Sequence, residues 1–119
     1  MAKAQICICF IIFFYLWSGN FVEVKAYSRG AWCVAKPSAT NDRLQQNIDF
    51  VCSKMDCNII KKGGACYSPE NLINAASVAM NIYYQTQGRR SWNCNFEGSG
   101  LVGVTDPSYG NCIYEFRRQ

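Results

Sequence analysis

Cysteine content limits what this chain can fold into more than any other feature. Eight cysteines occur in 119 residues. Two of them, Cys7 and Cys9, lie in a segment unlike the rest. There Lys3 precedes an apolar run from Ile6 to Trp17, and Val24-Lys25-Ala26 follows with a small-residue cleavage pattern. Residues 1–26 are therefore expected to be a secretory signal peptide. The apolar run is shorter than the ~20 residues a bilayer-spanning helix needs. Cleavage after Ala26 leaves 93 residues, Tyr27 to Gln119, as one domain carrying Cys33, Cys52, Cys57, Cys66, Cys94 and Cys112. An even set of six in a secreted chain reads as three bridges, though spacing alone leaves their pairing open. A zinc site is not expected, since the chain has no histidine and no C-x-x-C pair. Nothing else in the sequence calls for a metal or cofactor.

A domain of this size buries too little apolar surface to dispense with such staples. From Tyr27 onward ten basic residues face seven acidic ones. The bases cluster only as Lys61-Lys62, Arg89-Arg90 and Arg117-Arg118. Isolated pairs are solvated surface rather than the dense stripe of a nucleic-acid binder. At most they suggest weak attraction to acidic polymers such as pectin. The segment Glu115-Phe116-Arg117-Arg118-Gln119 has neither the hydrophobic tail nor the small residues of a glycolipid anchor signal. No Asn-x-Ser/Thr sequon occurs. These features predict a free, secreted, extracellular protein with no membrane anchor in the mature chain.

Along the mature chain, Trp32 to Pro37 reads as extended, because Pro37 disfavours helix just before it. Ser38, Thr40 and Asn41 offer N-caps. Leu44, Ile48, Val51 and Met55 then recur at helical spacing, which predicts a first amphipathic helix ending near Lys54. A loop with Gly63-Gly64 follows. Ser68-Pro69-Glu70 predicts the start of a second helix. That helix carries Leu72, Ala76, Ala79, Met80 and Tyr83 on its core face and stops at Gly88. Segments 92–96, 101–105 and 111–116 read as short strands, with a turn at Asp106–Gly110.

Catalysis has little to work with. Without histidine the usual general base and triads are absent. Asp42 and Glu70 stand at helix starts and Asp106 heads a turn, places where an acid serves the backbone. A chain this short does not read as an enzyme. Aromatic residues are plentiful, and pyranose rings present flat C–H patches that pack on aromatic faces while their hydroxyls bond nearby polar groups. Tyr83 continues the core stripe, and Trp32 and Phe50, which flank or precede cysteines, are expected to pack over bridges. Tyr84, Tyr67, Trp92 and Tyr109 are the candidate ligand-binding residues. On a helix Tyr84 points about 100° away from Tyr83, hence toward solvent when Tyr83 faces the core.

A resemblance extends this reading over Trp32 to Tyr114. Its carriers are Trp32-Cys33-Val34-Ala35-Lys36, then Leu44-Gln45 with Ile48-Asp49-Phe50-Val51-Cys52, and Gly63-Gly64-Ala65-Cys66-Tyr67 with Pro69 and Asn71. Ala76-Ser77, Asn81-Ile82-Tyr83-Tyr84-Gln85, Cys94-Asn95-Phe96 and Asp106 to Tyr114 continue it. In these words the chain resembles the plant family 43 carbohydrate-binding modules, or X8 domains, and among them the free-standing secreted members such as small pollen allergens and callose-binding proteins. The resemblance implies a small disulfide-rich α+β fold with two packed α-helices, a small antiparallel β-sheet and three disulfides. It implies the pairings Cys33–Cys94, Cys52–Cys57 and Cys66–Cys112. It further implies non-catalytic binding of β-1,3-glucan such as callose in the plant cell wall, with a glucan hydrolase acting alongside as a partner. Members often carry an aromatic where this chain has Val78, which would shift binding onto Tyr84, Tyr67 and Trp92. A small secreted defence or lipid-binding protein that has kept the fold but not glucan binding is the alternative. The eight-cysteine pattern of lipid-transfer proteins is absent from the mature chain.

Overall fold

The computed structural model describes residues 30–117. The expected signal peptide and its two cysteines lie outside the described residues. Within them, strand β1 (Trp32–Ala35) is followed by helix α1 (Asn41–Cys52) and a short 3-10 turn (Asn58–Ile60). Helix α2 (Leu72–Thr86), a second 3-10 turn (Ser91–Cys94) and strand β2 (Gly100–Gly103) complete the order. The two strands form an antiparallel sheet in which Trp32 pairs with Gly103 and Ala35 with Gly100. The small α+β architecture implied by the resemblance is thus present.

Each helix begins where a short polar side chain can cap it. Thr40 is extended, and its hydroxyl accepts from the Arg43 amide at 3.2 Å, leaving Asp42 in the first turn of α1. Asn71 does the same for α2, accepting from Asn74 N–H at 2.8 Å. The second helix therefore starts three residues later than Ser68-Pro69-Glu70 suggests. The Ser68–Pro69 peptide is cis, and the Asn71 amide donates back to the Pro69 carbonyl, so this stretch is a turn ahead of the cap. Gly88, at φ 88°, ends the helix in the left-handed conformation that glycine adopts without steric cost.

Helix α2 is the central element, packed against both α1 and β1. Its side chains replace a third strand. Ala35 N–H donates to Ser77 Oγ at 2.9 Å and Cys33 N–H to Asn81 Oδ1 at 3.0 Å. The Gln85 amide donates to the Ala31 carbonyl at 2.8 Å. Residues 77, 81 and 85 are one helical turn apart and 31, 33 and 35 share one strand edge, so the two periodicities mesh. The same side chains grip the C-terminal segment: Asn81 Nδ2 donates to the Glu115 carbonyl at 2.8 Å, and Gln85 Oε1 accepts from Arg117 N–H at 3.0 Å. Buried backbone groups on both sides of α2 are thereby satisfied.

The disulfides are Cys33–Cys94, Cys52–Cys57 and Cys66–Cys112, the pairing implied by the resemblance. Each contributes to a separate apolar cluster. Cys33 and Cys94 lie with Leu44, Met80 and Tyr84; Cys66 and Cys112 with Trp32, Val78 and Tyr114; Cys57 with Val51 and Ala79. Trp32 thus packs over a bridge, though over Cys66–Cys112 and not over its own neighbour Cys33.

Two of the three strand readings in the last third fail. Residues 92–96 form a 3-10 turn and a left-handed loop, and 111–116 run without regular pairing apart from one bridge between Tyr109 and Cys112. Ser77, Asn81 and Gln85 already occupy the inner edge of β1, which leaves room for only one partner strand, β2.

Candidate functional site

Arg43, Gln46, Asn47 and Phe50 repeat at the spacing of one helical face of α1, beside the buried Leu44 and Val51. They form one wall of a groove of about 300 Å³. Tyr83 from α2 and the stretch carrying Trp92, Asn93, Phe96 and Glu97 complete it.

Three rings make its floor. Phe50 and Tyr83 have centroids 5.3 Å apart at 68°, Tyr83 and Phe96 5.8 Å at 70°, and Phe50 and Phe96 6.5 Å at 80°. Each meets the others edge to face, the favoured aromatic arrangement. Trp92 stands beside them with 67% of its surface exposed, and Phe50 is 42% exposed. Large apolar rings left open to solvent in one place call for an explanation beyond packing.

The loop that delivers Phe96 has an unusual backbone. Phe96, Glu97 and Gly98 take φ values of 44°, 53° and 82° in succession. For phenylalanine this conformation is costly, about 1–3 kcal/mol, and such residues gather at ligand sites. Asn95 and Phe96 carbonyls hold the loop by accepting from Gly98, Ser99 and Gly100 amides. Asn47 Nδ2 donates to Ser99 Oγ at 2.8 Å, and Ser99 Oγ to the Phe96 carbonyl at 2.6 Å. Arg43 and Glu97 close the rim with an ion pair of 2.9 Å. The Gln46 side chain makes no hydrogen bond among the described residues, and the Asn93 amide makes only a long one, 3.4 Å to the Gln87 carbonyl. Under-used amides beside exposed rings suit a ligand with both hydroxyls and C–H faces.

The four candidate residues do not converge. Trp92 lies in the groove. Tyr84 does not: it is 3% exposed, within the cluster of Met80 and the Cys33–Cys94 bridge, where burial pushes its phenol above the ordinary value. Tyr83 takes the outward position instead. The expectation inverted the pair because it assumed one buried face, whereas α2 is covered by α1 on one side and by β1 and the C-terminal segment on others. The buried arc therefore reaches Tyr84, and Tyr83 falls at its edge.

Tyr67 and Tyr109 sit at the opposite end of α2. The Tyr109 hydroxyl bonds the Ser68 carbonyl at 2.7 Å and Asn74 Oδ1 at 3.0 Å. Tyr67 donates to Glu70 at 2.7 Å, a bond that holds its phenol above the usual value. From Asn74 to Tyr83 the helix rises about 14 Å, so these two phenols do not share the Trp92 groove.

Val78 is 2% exposed, packed with Trp32 and the Cys66–Cys112 bridge on a different side of α2 from Tyr83. It is not a gap in the aromatic floor. Phe50, expected over a bridge, lies on that floor. The stripe 43-46-47-50 was the available signal, obscured because arginine and glutamine read as ordinary solvated surface.

Among the described residues, no helix is long and apolar enough to cross a membrane. Compared with known proteins, the chain matches the profile of the X8 domain over residues 31–101. It is 49% identical over 85 residues to a glucan endo-1,3-beta-glucosidase of Triticum aestivum, covering 71% of this chain and 18% of that protein. A glucan endo-1,3-beta-D-glucosidase of Olea europaea is 45% identical over 86 residues, covering 71% of this chain and 19% of its own length. The chain thus spans about a fifth of these glucosidases. Against the major pollen allergen Ole e 10 of Olea europaea it is 47% identical over 85 residues, covering 70% of this chain and 69% of the allergen. A profile match across more than half of the sequence, with these identities, means that the chain belongs to the X8 domain family.

Proposed function

We propose that the groove between α1, the end of α2 and the 91–97 stretch binds β-1,3-glucan without cleaving it. One observation carries this reading: the floor rings meet at 68–80°, so no two present a coplanar strip. A β-1,4-glucan is a flat ribbon suited to coplanar rings. A β-1,3-linked chain curves, so successive sugar faces turn and suit rings that are themselves turned. The groove lies at the lower end of the ~300–1,000 Å³ range of ligand sites, and so grips a short stretch of chain.

Cleavage finds no support in the lining. Glycoside hydrolysis needs two carboxyl groups flanking the bond. Among the described residues Glu97 is the one acid lining the groove, and it is paired with Arg43. The named relatives that are glucosidases match this chain over only about a fifth of their length, so their activity belongs to proteins with much more chain. Secretion into the wall, and action alongside a glucan hydrolase, are part of the same proposal.

Titration calorimetry of the oxidised protein against laminarihexaose, with cellohexaose as control, tests it. Selective binding of the β-1,3 chain is expected, weakened about tenfold by Trp92→Ala or Tyr83→Ala and unchanged by Tyr67→Ala. Equal binding of both sugars, or loss with Tyr67→Ala and not with Trp92→Ala, would move the site elsewhere.

A further inference from the structure

Among the described residues three cations contact the rings or rim of the groove, and only one of them has an acidic partner. Arg43 is paired with Glu97. Lys54 Nζ lies 5.1 Å from the Phe50 centroid, and the Arg90 guanidinium carbon 5.5 Å from that of Trp92. Neither Lys54 nor Arg90 makes a side-chain hydrogen bond or ion pair among the described residues.

Among the described residues Glu97 is the one acid that lines the groove, and Arg43 balances it. Lys54 and Arg90 therefore leave the rim over the aromatic floor with net positive charge.

A guanidinium resting on an indole face keeps its in-plane N–H donors free, and those donors match the geometry of a carboxylate. A neutral glucan offers them no charged partner. We propose that the Trp92 end of the groove accepts a uronic acid unit of an acidic polysaccharide. A pyranose face packs on the exposed indole. The sugar uses the indole face that Arg90 leaves open, the carboxylate of that unit or its neighbour reaches round the ring edge to the in-plane N–H groups of Arg90, and Lys54 adds attraction from the Phe50 side. This rests on the groove being a sugar site and adds a second, charged class of ligand to it.

The test is calorimetry of the oxidised protein with tetragalacturonate and, separately, laminarihexaose, at low and high ionic strength. Tetragalacturonate should bind at low salt and weaken about tenfold at high salt. Arg90→Gln should weaken it about fivefold while leaving laminarihexaose binding unchanged. Lys61→Gln/Lys62→Gln, distant in sequence from the groove, should leave both unchanged. No tetragalacturonate binding by protein that binds laminarihexaose would overturn the proposal. An equal loss in the Lys61/Lys62 variant would overturn it too, by showing diffuse charge attraction. Loss of both sugars in Arg90→Gln would make Arg90 a support for Trp92 instead. Folded protein that binds neither sugar would refute the groove reading along with this one.

Discussion

Replacing Asn81 with leucine keeps side-chain size and removes every polar atom from the midpoint of the α2 ladder. Asn81 is fully buried. Its Oδ1 accepts from the Cys33 amide at 3.0 Å and the Gln85 amide at 3.2 Å, and its Nδ2 donates to the Glu115 carbonyl at 2.8 Å. Gln85 keeps a second partner in the Ala31 carbonyl. The Glu115 carbonyl is only partly buried and can recruit water. Cys33 N–H has neither recourse, because the Cys33–Cys94 bridge holds it in place with no access to solvent. One fully stranded buried donor costs about 1–3 kcal/mol, and a lost partial partnership adds about 1 kcal/mol. The expected destabilisation is therefore about 2–4 kcal/mol, offset slightly by the added apolar burial of leucine. Urea unfolding with disulfides intact measures it as a lower midpoint at unchanged slope. Asn95→Leu, at an exposed position, is the control. An unfolding free energy for Asn81→Leu within about 0.5 kcal/mol of the parent would show that β1 does not depend on side chains of α2.

The bridges should differ in weight according to the loops they close. Losing Cys52–Cys57, with a separation of 5, should cost about 2 kcal/mol, whereas losing Cys33–Cys94, with a separation of 61, should cost about 4 kcal/mol; paired serine variants in urea give both values. Gly100→Ala drives its new methyl into the Cys94 carbonyl oxygen, while Gly103→Ala meets open space. The first should destabilise by about 2 kcal/mol or more and the second little, and a reversed order in thermal melts would contradict the packing at β2. Burial, with a smaller contribution from Tyr109, pushes the Tyr114 phenol from 10.0 up to about 12. A group whose pKa is raised by folding lends stability that is complete below pH 10.0 and lost as pH rises through about 12. Unfolding midpoints should therefore hold to pH 10.0 and then fall, with a shallower fall in Tyr114→Phe; identical falls in the two proteins would remove Tyr114 as the cause.

Local chemistry in the sequence was enough to determine that both helices exist, because the cap at Thr40, the stop at Gly88 and apolar spacing act over a few residues. It placed the start of α2 three residues early, because Ser68-Pro69-Glu70 has the chemistry of a cap while the chain turns there and Asn71 does the capping. Six cysteines after Ala26 announced a stapled domain, and the resemblance supplied their pairing. Which aromatic rings reach solvent was decided only by tertiary structure. Tyr83 and Tyr84 are adjacent in sequence and chemically identical, and their fates diverge because α2 is enclosed by α1, β1 and the C-terminal segment together. Ser77, Asn81 and Gln85 look like surface residues until a strand edge lies against them. The groove itself joins residues 43–50 to 83–97. No local pattern links those segments, because their approach depends on helix packing and on the bridge that anchors the loop after Cys94.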